Sequence, residues 1–139
     1  MPYCDLAAMI KRFGEEELIQ LTDRDNLGSV DTTVLDAAIG DADAEIDGYL
    51  VGRYVLPLAI VPPALELKAC DISRYYLYED HPPETVKSRY DNAVKWLGMV
   101  ARGSVKLVQQ TGVTAETTGD AVQVTSPTQI FTDTSLENF

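Results

Sequence analysis

One histidine, two cysteines and eleven lysines and arginines are few for 139 residues. Each shortage excludes something. With His81 alone, the usual histidine-based zinc sites and Ser-His-Asp triads cannot be built. His81 itself precedes Pro82-Pro83 in a turn, with no nucleophile beside it, and reads as solvated. Cys4 and Cys70 are too few for a disulfide framework. Cys70 lies in an apolar helical stretch, where a free thiol behaves as a small hydrophobe. Both cysteines therefore read as reduced, structural and intracellular. The shortage of basic groups leaves a formal net charge of −11. That argues against a grip on nucleic acid, which needs clustered cations to displace counterions from phosphates. It argues equally against a polybasic membrane contact. The longest apolar run, Tyr54 to Leu65, is broken by Pro57, Pro62 and Pro63 and falls short of the ~20 residues of a spanning helix. No basic n-region or apolar stretch marks a signal peptide at Met1-Pro2-Tyr3-Cys4-Asp5. The expectation is a soluble, cytoplasmic chain. Glycines 98, 103, 112 and 119 are too scattered for a phosphate loop. No constellation supports an enzyme, and none calls for a metal or other cofactor.

What is present is a one-domain chain with ordinary apolar content, 45%, and an uneven distribution of acid. Residues 31–56 hold one basic and six acidic groups, net −5, whereas residues 57–103 balance. Asp5 can cap a helix whose apolar residues are Leu6, Met9, Ile10 and Phe13. Gly14 interrupts it, and Glu15, Glu16 and Glu17 then suit a second helix N-terminus. A long helix is expected from about Asp31 to Tyr54. Its stripe is Leu35, Ile39, Ala42, Ile46, Tyr49 and Arg53. Gly40, Gly48 and Gly52 weaken it by roughly 1 kcal/mol each relative to Ala. They point to close approach by another backbone, or to a bend near its end. Pro57 to Pro63 forms a packed connector. Pro63 opens a helix to about Tyr78 that is apolar on two sides and hence central. The last helix runs from about Glu84 to Arg102 on Val86, Tyr90, Ala93, Leu97 and Val100, and Gly103 stops it.

The fold class is therefore all-α: a bundle of four or five helices with one long central helix, residues 1–103. Residues 104–139 form an extended C-terminal arm. The arm is rich in Thr, carries a weak strand signal at Val122 and Val124, and ends with Ile130, Phe131, Leu136 and Phe139.

Three groups of polar or aromatic residues invite a sharper reading. Asp23 to Asp31 partly matches a calcium loop, but Leu27 occupies a ligand position and Val34 replaces the closing bidentate acid; capping is the better account. Asp47, Arg53, Asp71 and Arg74 are charges in apolar helical stretches. An intrachain pair, such as Arg53 with Asp71, is favoured over a subunit-interface network, because buried charges are tolerated only when paired. Tyr75, Tyr76, Tyr78, Tyr90 and Trp96 fall at helical spacing and fit core and interface packing better than a base-stacking platform.

One resemblance spans nearly the whole chain. Ala44-Glu45-Ile46-Asp47-Gly48-Tyr49-Leu50 is followed by Gly52-Arg53-Tyr54 and Leu56-Pro57-Leu58. Pro62-Pro63 leads to Cys70-Asp71-Ile72-Ser73-Arg74-Tyr75. Arg89-Tyr90 leads through Ala93, Trp96 and Leu97 to Ala101-Arg102-Gly103. The chain closes on Phe131-Thr132-Asp133 and Leu136-Glu137-Asn138-Phe139. These motifs, in this order, resemble the Mu-like phage and prophage family of small head–tail junction proteins. Only residues 105–129 match loosely. That family is similar to the connector (adaptor) proteins of long-tailed phages.

The resemblance implies a virion structural protein of the neck, made in the host cytoplasm. It implies a self-assembled ring, commonly of about twelve copies, beneath the portal protein. The ring completes the head, meets a tail-side completion or terminator protein, and lets DNA pass without holding it. An acidic lumen would repel the duplex, with Asp36, Asp43 and Asp47 as its candidates. Ile130, Phe131, Leu136 and Phe139 are the candidate anchors of a docking arm, and Arg53, Asp71 and Arg74 the structural or interface charges. The alternative is a small DNA-binding, terminase-like or regulatory phage protein, against which stands the lack of a basic recognition helix.

Overall fold

The computed structural model describes residues 2–107. Five helices follow in order: α1 (Leu6–Phe13), α2 (Glu15–Thr22), α3 (Thr32–Leu50), α4 (Pro63–Leu77) and α5 (Glu84–Ala101). The described residues contain no strand. The fold is an all-α bundle. The candidate arm residues Ile130, Phe131, Leu136 and Phe139, and the strand signal at Val122 and Val124, lie outside the described residues.

Local chemistry sets the boundaries. The Asp5 carboxylate accepts from the Ala8 N–H at 2.8 Å and starts α1. Gly14, at φ +92°, turns the chain sharply into α2, where an L side chain would be strained. Glu15, Glu16 and Glu17 then occupy the first turn of α2. Asp31 caps α3 through the N–H groups of Thr33 and Val34. Pro63 stands in the first turn of α4.

The loop with the partial calcium pattern is used for backbone satisfaction. Asp23 accepts from the N–H groups of Leu27 and Gly28, at 2.8 and 2.7 Å, while Asp31 caps α3. Asp23 and Asp31 thus serve the backbone.

The expected long helix ends four residues early, at Leu50. Arg53 and Tyr54 both donate their N–H to the Leu50 carbonyl, closing tight turns. This lets Tyr54 turn inward, where it is almost fully buried and its hydroxyl accepts the Leu107 N–H at 3.0 Å. Gly48 and Gly52 make the termination cheap. No backbone approaches Gly40, Gly48 or Gly52 within the described chain; a Cβ on any of them would meet nothing within 4 Å.

Helix α4 is central, as its two apolar sides require. It packs on α3, α5 and α1, and α3 also touches α5 and α2. Leu35, Ala38, Ile39, Ala42, Ile46 and Leu50 are the buried side of α3. Leu65, Ala69, Cys70, Ile72 and Leu77 come from α4, and Val86, Ala93, Leu97 and Val100 from α5. The proline connector is tied down by buried Leu58 and Pro62.

Ile46 is fully buried and Leu27 is mostly exposed. Ile46→Ala is expected to cost about 2–5 kcal/mol by urea unfolding, and Leu27→Ala no more than about 0.5 kcal/mol.

Candidate assembly surface

The acid of residues 31–56 divides between two sides of α3. Asp36, Asp43 and Asp47 do fall on one stripe, as helical spacing requires. Only Asp36 is exposed. The N-terminal segment covers the other two. Asp43 accepts from the Tyr3 N–H at 3.0 Å, and Asp47 accepts from the Tyr3 hydroxyl. Burial comes first in holding the Asp43 carboxyl above the usual carboxylate range. Burial, then the Asp47 carboxylate, pushes the Tyr3 phenol up. An open cleft of about 310 Å³ lies beside them, lined also by Leu56, Pro57, Leu58 and Val61. The three aspartates are therefore not one open acidic surface: Asp43 and Asp47 hold the chain's own start in place.

Glu45, on another flank of α3, plays the same part toward α4 and α5. It accepts from the Tyr76 hydroxyl at 2.6 Å and from the Tyr90 hydroxyl at 3.0 Å. Tyr75 stacks on Tyr90 with ring centroids 4.0 Å apart. Burial and the Glu45 carboxylate raise the Tyr90 phenol to about 12. These tyrosines pack helix on helix.

The interspersed charges find partners inside the chain, but not the expected ones. Asp71, with its side chain 7% exposed, meets Arg89 on α5 at 3.4 Å. Arg53 does not reach it. The early end of α3 carries Arg53 to the last turn of α5, where its guanidinium lies against Gly103. Gly103 has φ +85°, and a Cβ there would run into that guanidinium. Arg74 forms a two-pronged pair with Glu17, at 2.6 and 3.0 Å, and its guanidinium lies over the Phe13 ring. One arginine of α4 thus holds both α1 and α2. Tyr3, Glu17, Glu45 and Arg89 were not singled out from the sequence. Their partners are distant in the chain, and no local spacing signals them.

On the outward side of α3, Ala37 and Asp41 line an open cleft of about 360 Å³ with Arg24, Tyr76, Leu77 and Glu79. Asp36, Ala37, Gly40, Asp41, Ala44 and Gly48 are exposed along that side of the helix. It is a narrow, small-residue surface with acid at one end. Val51 and Val55, just past the end of the helix, are 66% and 64% exposed. Among the described residues, no group of three or more His, Cys, Asp or Glu is arranged to hold a metal ion. No helix among them is long and apolar enough to cross a membrane.

Asp71 provides a pH test. Burial raises its carboxyl more than Arg89 lowers it. A raised folded pKa gives stability that is complete below the unfolded value of about 3.9 and is lost as pH rises through the folded value. Urea unfolding of Asp71→Asn against the wild type is expected to favour the variant progressively from acid toward neutral pH. A difference that does not change with pH would contradict the burial of an ionised Asp71. Gly103→Ala is expected to cost about 1–3 kcal/mol, from the positive φ and the displaced guanidinium.

Comparison with known proteins fits this architecture. The family model described as Bacteriophage Mu, Gp36 matches residues 3–126. Gene product J of Escherichia phage Mu is 38% identical over 105 residues, covering 75% of this chain and 74% of the phage protein. The Mu-like prophage FluMu protein gp36 of Haemophilus influenzae is 35% identical over 105 residues, covering 76% and 74%. The match runs through all five helices, and the chain belongs to the phage Mu Gp36 family.

Proposed function

We propose that this phage protein is a virion structural component of the head–tail junction. It assembles as a ring beneath the portal protein, completes the head, and joins the tail side while letting DNA pass. The observation that carries self-assembly is the outward side of α3. Gly40 and Gly48 have open space there where a Cβ would stand, and Val51 and Val55 are exposed just past the helix end. Exposed apolar residues next to a narrow helix surface suit close packing against another chain. The junction itself rests on the motif resemblance of nearly the whole chain, residues 105–129 aside, to head–tail proteins.

The charge supports passage of DNA. Asp36 and Asp41 are the exposed carboxylates of α3, and repeated around a ring they would repel the duplex. Asp43 and Asp47 contribute less, being covered by the N-terminal segment. The arm anchors Ile130, Phe131, Leu136 and Phe139 supply apolar groups for docking on the portal or a neighbouring copy. No part of the mechanism is catalytic, and no cofactor, membrane or specific nucleic-acid contact enters it.

Electron microscopy of the full chain mixed with purified portal tests this reading. Rings, or a portal-bound collar, are expected, with binding lost when residues 128–139 are deleted. Duplex binding that falls steeply with salt would instead favour a DNA-binding phage protein.

A further inference from the structure

Cys4 and Cys70 are far apart in sequence but share one piece of core. Both are buried as free thiols, at 4% and 0% exposure. The Cys4 Sγ lies 3.6 Å from the Ser73 Oγ. Ser73 stands three residues beyond Cys70, on the same side of α4 one turn along. Its hydroxyl turns back to donate to the Ala69 carbonyl at 2.9 Å. The Cys4 thiol therefore rests on the very turn of α4 that carries Cys70, and the neighbouring Cys70 thiol lowers the Cys4 thiol from its ordinary range.

The pair has a route to solvent. Cys4 lines an open cavity of about 440 Å³ together with Tyr3, Asp5, Ile60, Val61 and Glu66. Cys4 is thus at the edge of the core, whereas Cys70 is sealed behind it. Cys4 lines the cavity and Cys70 does not, so Cys4 is the one that reacts first; the neighbouring Cys4 sulfur, then burial, pushes the Cys70 thiol up.

We propose that Cys4 and Cys70 are a dithiol oxidation site, closed to an internal disulfide by small disulfide oxidants of the glutathione type. The Cys4 thiolate attacks one sulfur of the oxidant and expels the first small thiolate, leaving a mixed disulfide on Cys4. Cys70 gives up its proton and attacks the Cys4 sulfur, expelling the second. The two cysteines lose two electrons and two protons, and the oxidant's disulfide becomes two thiols. The product is a tether from the N-terminal segment to α4. That segment carries Tyr3, so the same bond pins the cover over Asp43 and Asp47.

Redox compartment sets the state of such a pair. The host cytosol keeps it open and an oxidising exterior closes it. If the virion reading above holds, the chain assembles reduced and is locked when the particle leaves the cell; the chemistry itself does not depend on that reading.

The test is to equilibrate the full chain with oxidised glutathione and then denature it without reductant. Expected are loss of both free thiols, an intact mass lower by two hydrogen atoms, no covalent dimer, and a melting temperature higher by about 10 °C, all reversed by dithiothreitol. Cys70→Ser is expected to stop at a glutathione adduct on Cys4, and Cys4→Ser to stay unmodified while folded. Wild-type protein that keeps both thiols, stops at the adduct, or forms only intermolecular disulfides would overturn the proposal, whether or not the variants fold.

Discussion

Three tyrosine hydroxyls, from three different parts of the chain, donate to two carboxylates of α3. Tyr3 reaches Asp47 from the N-terminal segment, and Tyr76 and Tyr90 reach Glu45 from α4 and α5. The arrangement answers a constraint on α3. That helix touches nearly every other element, so its polar flanks come against protein as well as water. A half-buried carboxylate is costly unless donors replace its lost hydration. Phenols suit the task, since each brings one donor and a large apolar ring. Hydrogen bonds to charged groups contribute about 1.5–3 kcal/mol each. They also set the register of α3 against its neighbours.

That constraint explains which features were legible in the sequence. The helix starts and stops could be read because single residues mark them: Asp5, Gly14, Asp31, Pro63 and Gly103. The buried stripes of α3 and α5 follow from helical spacing alone. The end of α3 did not, because it depends on Tyr54 turning inward to meet the Leu107 N–H, a partner far along the chain. The same early end moved Arg53 away from Asp71. The candidate acidic stripe was placed correctly on the helix, yet its second half is covered by Tyr3. Spacing tells which residues share a helix side; it does not tell what lies over that side.

The acid on α3 therefore has two uses. Asp43, Glu45 and Asp47 are spent inside the fold, and Asp36 and Asp41 face outward. A net charge of −5 over residues 31–56 looked like a single surface. It is an internal fastening set beside a smaller external patch. Past the helix end, Val51 and Val55 are exposed as well. Two relatives, from phage Mu and a Mu-like prophage, are 38% and 35% identical to this chain over 105 residues, so the division can be sought in them.

The inner carboxylates of α3 hold the subunit together, and in the proposed assembly its outer side is covered. Hydroxyl-radical footprinting of the free chain and of the chain assembled with its portal measures this directly. Val51 and Val55 are expected to become protected on assembly, while Tyr3, Tyr76 and Tyr90 keep the same protection in both states. Val51 and Val55 left equally reactive in the assembly, with protection arising elsewhere, would contradict it.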